Sequence, residues 1–292
     1  MTHVLITDSG VGGLSVVAYA ERFVREHGFA EPVRLTFANA SPSNEAGYNA
    51  MKTRDDKIAT FDRFLRNVTE RYAPDSIYIA CNSLSVILPD TPFFARPPVP
   101  VRGIVETATT LIESELASDP ASVAIVFGTQ TTIQSGTYPR LLTERGVDPA
   151  RIITQACPGL ADTISEDREG TKTGQEIRKW VATAIEKMDS HDRGAPVVAA
   201  LACTHYGYRK DVFASAFTEA GVRAKVVNPN ERAVDDVFPH ATSGEHRDTK
   251  VRFVTRYAIP ETTIEALTFF LDPISPSTVA ALRNFEHVPD LF

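Results

Sequence analysis

Two stretches of this chain share one order of residue types. "DSIYIACNSLSVI" and "PVVAALACTHYGY" each run an apolar, strand-like segment into Ala-Cys, then a polar pair, then a helical pattern. The cysteines are Cys81 and Cys203, separated by about the length of one domain. A cysteine at the carboxyl end of a strand stands where open parallel sheets bind ligands. The helix that follows is expected to stabilise the thiolate and lower the thiol pKa. Asn82 and Ser83 follow the first cysteine, and Thr204 and His205 the second. These are residue types that hold free helix N–H groups or a ligand carboxylate. One such cysteine alone reads more simply as a small buried side chain. Two in matched contexts point to chemistry: one thiolate removes a proton from a carbon, and the other thiol returns one on the far face.

Rival readings of the same residues are weaker. Cys203-Thr204-His205 has no paired C-x-x-C, so a zinc site is poorly supported and no metal is expected. A Cys–His hydrolase would use only one of the two units. Cys157, in "QACPGLAD", lacks the polar pair and reads as packing, as does Trp180 in its helical stretch. His205, two residues after Cys203, is a candidate for tuning that thiol.

The opening "HVLITDSGVGGLSVVAYAERF" adds a second kind of site. A short apolar run is followed by Gly10, Gly12 and Gly13 and then by a helical pattern, the layout of an anion-binding turn. Asp8 stands at its mouth, where a carboxylate would repel a phosphate. A ligand carrying both charges resolves the conflict, with Asp8 facing its cation or assisting a nearby thiol. Asp8 or Ser9 could equally be an ordinary helix cap.

The elements that must position these residues alternate along the chain. Strands are expected at 3–7, 33–38, 76–80, 99–103, 122–127, 151–155, 196–202 and 223–227. Helices are expected at 14–27, 53–72, 105–117, 132–145, 173–188 and 208–220, the second carrying Ile58, Phe61, Phe64, Leu65 and Val68 on one face. "VRFVTRYAIPETTIEALTFFL" supplies one more strand and helix; "RPPVPVRG" (96–103) is the linker candidate and 240–250 a polar surface loop. The alternation predicts an α/β fold with parallel sheets. A length of 292 residues suits two domains. The net charge of −7 argues against nucleic acid as partner. No apolar run reaches the roughly 18 residues of a membrane span, and three scattered cysteines suit a reducing cytoplasm.

"DSGVGGLSV", "ACNSLS", "GTQTTIQSGTY" and "ACTHY" together resemble the successive motifs of glutamate racemase, in the cofactor-independent aspartate/glutamate racemase family. The resemblance implies two similar doubly wound α/β domains, 1–98 plus 226–292 and 99–225, with the active site in the cleft between them. It implies an isomerase without cofactor, Cys81 and Cys203 as acid and base, and Asp8 and His205 assisting. Ser9, Asn82, Ser83, Thr204, Thr129 and Thr132 would bind a small amino-acid substrate. D-Glutamate for peptidoglycan would be the product, and a homodimer stays open.

Four positions depart from the family pattern. A Pro-Tyr-Gly turn is replaced by "NASPSNEAGYNAM", where Tyr48 and Asn49 are the nearest counterparts. A carboxylic acid that assists the second thiol is replaced by Ser165, with Glu166 beside it. Ser83 stands for a threonine, and Tyr206-Gly207 continues the last motif without its proline. Substrates other than glutamate stay open (aspartate, a hydantoin, a malonate derivative), as does a non-catalytic binding protein on the same fold.

Overall fold

The strands are, in chain order, β1 (Thr2–Asp8), β2 (Val33–Asn39), β3 (Ser76–Ile79), β4 (Val101–Gly103), β5 (Val123–Gly128), β6 (Ile152–Ala156), β7 (Val197–Ala202), β8 (Ala224–Val227), β9 (Thr249–Thr255) and β10 (Glu286–His287). They come from a computed structural model that describes residues 1–43, 47–189, 194–239 and 242–292. Residues 44–46 of the 39–49 segment, and 240–241 of the expected polar loop, lie outside the described residues. The chain divides into two compact units, Met1–Ile104 with Asn230–Phe292, and Val105–Pro229. The first holds a sheet in the order β10-β9-β2-β1-β3-β4 and the second one in the order β6-β5-β7-β8. Every neighbouring pair is parallel.

Parallel neighbours need crossovers, and helices supply them, so both faces of the sheet are covered and its strands become continuous apolar runs. β5 (VAIVFG) and β7 (VVAALA) are buried at every residue, and β1 at every residue after Thr2. In each unit the second strand lies on one side of the first, and the third on the other. The crossovers therefore leave in opposite directions. A crevice opens at the carboxyl ends of β1 and β3, and another at those of β5 and β7.

The helices follow local chemistry. Arg54–Tyr72 starts at Thr53, whose hydroxyl accepts from the Asp56 amide at 3.1 Å, and Asp55 and Asp56 sit in its first turn against the positive helix end. It buries Phe61, Phe64, Leu65 and Val68, while Ile58 is only half-buried, and stops at Ala73 in the left-handed region. The helix expected at 132–145 is two, Gln130–Gln134 and Thr137–Glu144, because Gly136 adopts a φ of 64°. The tract expected at 208–220 opens with a 3-10 turn, Tyr206–Arg209, before Lys210–Glu219. Of the linker candidate, Val101–Gly103 is the edge strand β4, which prolines at 98 and 100 precede without removing a ladder donor from it. Leu160–Glu166 is a further helix without counterpart among the expected ones. Among the described residues, no helix is long and apolar enough to cross a membrane.

His3 of β1 is buried, with Nε2 2.9 Å from Thr36 Oγ1. Burial lowers its pKa below the usual 6.5, helped by Arg34 and Arg252 and opposed by Asp75. The unfolded chain thus takes up a proton here more readily than the folded one. Its contribution to stability is complete above the ordinary histidine pKa and is lost as the pH falls below it. Between about pH 8 and about pH 5, the urea midpoint of the native protein should fall more than that of His3→Gln. Parallel declines would remove His3 as a source of acid sensitivity.

Candidate active site

The first crevice is built by register. β1 pairs with β3 so that Thr7 lies opposite Ile79, which two residues further on sets Ser9 level with Cys81. Ser9 Oγ and Cys81 Sγ are 3.0 Å apart. Asp8 Oδ1 accepts from the Gly10 amide at 3.1 Å, with Ser9 Oγ at 3.4 Å. Gly13 is required here: a Cβ on it would stand 2.7 Å from Asp8 Cβ and 2.9 Å from Asp8 Oδ2. The glycine loop thus folds around its own carboxylate at the start of the helix Leu14–His27, whose positive dipole end offsets the negative charge. Asn82 and Ser83 open the four-residue helix after Cys81, and both are buried.

Cys81 corrects one expectation. Its thiol pKa is pushed up, to about 12, rather than lowered. Burial is the largest cause and the Asp8 carboxylate the next, while Ser9 and the Leu84 backbone oppose them. A single turn of helix offers too little dipole to reverse those effects. Unliganded, Cys81 is therefore a thiol, a proton donor.

Tyr48 opens a 3-10 turn, Tyr48–Ala50, and is buried with its ring edge-on to Phe61. Burial pushes its phenol pKa up, and a thiolate at Cys81 would push it further, so the two side chains are electrostatically coupled. Its hydroxyl is buried and has no hydrogen-bond partner among the described residues. Asn49 is exposed, so the turn presents Tyr48 to the interior rather than its neighbour.

The second unit repeats the register. Gly128 of β5 lies opposite Ala202 of β7, which sets Thr129 level with Cys203. Thr129 caps the helix Gln130–Gln134 by accepting from the Thr132 amide, and the two hydroxyls are 3.1 Å apart. Cys203 and Thr204 are buried and His205 is half-buried. Cys157 is also buried, inside the hydrophobic cluster of this unit, and burial pushes its thiol pKa up.

Ser165 donates to the Ala161 carbonyl at 3.1 Å, so its hydroxyl is engaged within its own helix. Glu166 is exposed. One turn earlier on the same helix face, Asp162 exerts its field on buried Tyr206. Neither Asp162 nor Tyr206 is singled out by the sequence for a part in the site. The signal for Tyr206 was its place three residues after Cys203. Among the described residues, no group of three or more His, Cys, Asp or Glu side chains is placed to hold a metal ion.

In sequence and fold the chain resembles glutamate racemases. It is 26% identical to the glutamate racemase of a Nitratiruptor species over 219 residues, covering 74% of this chain and 77% of that one. It is 28% identical to that of Pseudomonas paraeruginosa, covering 72% and 71%. The structure of glutamate racemase from Francisella tularensis in complex with D-glutamate superposes with a TM-score of 0.73 at 18% identity, covering 100% of this chain and 99% of that one. A glutamate racemase isoform from Bacillus anthracis gives 0.72 at 18%, covering 93% and 94%. No family model matches.

The position of Asp8 yields a test independent of any reaction. Asp8→Asn removes the repulsion that adds to burial in holding the Cys81 thiol protonated, and the thiolate fraction rises about tenfold for every 1.4 kcal/mol removed. Alkylation of Cys81 by iodoacetamide at neutral pH, followed by peptide mass spectrometry, should therefore be slow in the native protein and faster in Asp8→Asn. An unchanged rate would exclude Asp8 as a cause of the shift.

Proposed function

We propose that this chain is a cofactor-independent amino-acid racemase that interconverts L- and D-glutamate, with Cys81 and Cys203 as its acid/base pair. The observation that carries the reading is the repeated register: each unit sets one cysteine, and a hydroxyl residue level with it, at the switch point of a parallel sheet. The glutamate racemases it resembles over about three quarters of its length support the substrate.

The chemistry follows from the surroundings of the thiols. A buried thiol beside a carboxylate is a poor base until a cation arrives. The ammonium group of an amino acid supplies that cation beside Asp8, so Cys81 gives up its own proton to solvent as substrate enters and stands as the thiolate. The thiolate takes the α-proton and leaves a carbanion whose charge is spread into the carboxylate. The Cys203 thiol then gives its proton to the opposite face, inverting the carbon and becoming a thiolate. In the reverse direction the thiols exchange roles. Ser9 and Thr129 hydroxyls stabilise the thiolates level with them, and Asn82, Ser83, Thr132 and Thr204 are the candidates to hold a carboxylate. His205, two residues after Cys203, is the candidate for tuning that thiol.

Tyr48 is the candidate for reading the substrate, because its buried hydroxyl is electrostatically coupled to Cys81 and lacks a partner among the described residues. A ligand carboxylate would satisfy it. Asn49, being exposed, is set aside.

In heavy water, the native protein should exchange the α-proton of glutamate for deuterium and invert the centre. Cys81→Ala and Cys203→Ala should each abolish inversion, and Cys157→Ala should leave it largely intact. A binding protein of the same fold would bind without exchange, and inversion by either of the first two variants would remove the two-thiol mechanism. Tyr48→Phe tests specificity with little change of volume. Loss of a hydrogen bond to a carboxylate is worth ~1.5–3 kcal/mol, so kcat/KM should fall roughly tenfold to a hundredfold. If glutamate is turned over well by Tyr48→Phe, the phenol does not read the substrate.

A further inference from the structure

We infer that Tyr206 is the positioning residue of the Cys203 thiol, a strap that ties the carboxyl ends of three strands together. The Gly128 carbonyl, at the end of β5, accepts from the Cys157 amide at 2.9 Å. The Cys157 carbonyl, just after β6, accepts from the Tyr206 hydroxyl at 3.2 Å. The Tyr206 amide in turn donates to the carbonyl of Cys203 at 3.1 Å, closing a turn directly after β7. One line of hydrogen bonds thus runs from Gly128 to Cys203. Gly128 precedes Thr129, so the line fixes the level of Cys203 against Thr129, the residue beside it in register.

The strap is rigid because its ring is in the core. Tyr206 is fully buried, 5.9 Å from Phe213 between ring centres, in one cluster with Cys157, Leu160 and Cys203. Burial holds its phenol protonated far above the ordinary range, so the hydroxyl remains a donor when Cys203 gains or loses its proton. The next residue, Gly207, is packed so closely that a Cβ would stand 2.6 Å from Asn228 Nδ2. The Asn228 amide thus packs directly against the turn. In the first unit Cys81 is held differently, through the contact of its own thiol with Ser9. Tyr206 acts on one thiol only.

This inference rests on the racemase reading, and the experiment separates the two. Tyr206→Phe keeps the ring and removes only the hydroxyl. The rate of iodoacetamide alkylation of Cys203, with Cys81 in the same molecule as the internal control, should change severalfold at Cys203 alone; this needs no turnover. With turnover, kcat/KM should fall about tenfold for both enantiomers, the scale of one buried hydrogen bond. The substrate α-deuterium isotope effect should rise for the enantiomer whose proton Cys203 takes, and fall for the other. A purely structural role would slow both proton transfers alike and leave the isotope effects together. If native protein exchanges no α-proton, the racemase reading fails while alkylation still decides the strap. If Cys203 alkylation and both isotope effects match the native protein, with the fold intact by circular dichroism, Tyr206 does not position the thiol.

Discussion

Burial of an acid beside a thiol governs the first unit. Removing Cys81 from water disfavours its thiolate, and the Asp8 carboxylate adds repulsion. The local architecture accommodates that pair. Gly13 carries no side chain because Asp8 fills the space, the Gly10 amide donates to one carboxylate oxygen, and Ser9 stands between carboxylate and sulfur. A glycine loop that would hold an anion in other proteins here holds the chain's own. What it has left to attract is a cation, and under the proposed function the amino-acid substrate brings one on the same carbon as the proton that moves.

The second unit solves the same problem with different parts. Its thiol is also at the switch point and also level with a hydroxyl, but that hydroxyl is tied into the Thr129–Thr132 cap. The turn after Cys203 is anchored on both sides. Tyr206 reaches back to Cys157, and three residues later buried Arg209 donates to the carbonyls of Asp167 and Arg168. Gly170, with a φ of 81°, lies against that guanidinium where a Cβ would meet it at 2.9 Å. Burial acts to raise the Asp167 pKa, but the amides of Thr173 and Gly170 donate to its carboxylate and bring it down. The corner between the helices Leu160–Glu166 and Thr171–Glu186 is therefore held by charge-assisted hydrogen bonds, and it carries the Cys203 turn.

This difference bears on the two thiols as a pair. Cys81 is governed by burial and the charge of Asp8; Cys203 is held in a hydrogen-bonded frame. In the proposed two-thiol mechanism, a donor and acceptor that exchange roles in the two directions need comparable basicity when substrate is bound. A charge beside one thiol and a strap beside the other would be two separate levers for that balance.

The sequence by itself determined the elements and the residue types at their ends. Apolar runs fully buried on both faces, as in β5 and β7, are legible because a parallel sheet leaves no polar alternation to confuse them. The matched Ala-Cys contexts and the glycine loop are equally legible, because strand end, cap and turn are local properties. Register and burial were not. That Ser9 falls level with Cys81, and Thr129 with Cys203, depends on which residue pairs with which across the sheet. The direction of the Cys81 pKa depends on how much water is excluded and on Asp8 being folded against it. Both are sums over neighbours distant in sequence. For the same reason the sequence named Tyr48 and Asn49 together, and only the packed turn buries the first and exposes the second. Tyr206 closes the last motif in the sequence with no role attached to it, since its partner, the Cys157 carbonyl, is brought to it only by the tertiary fold.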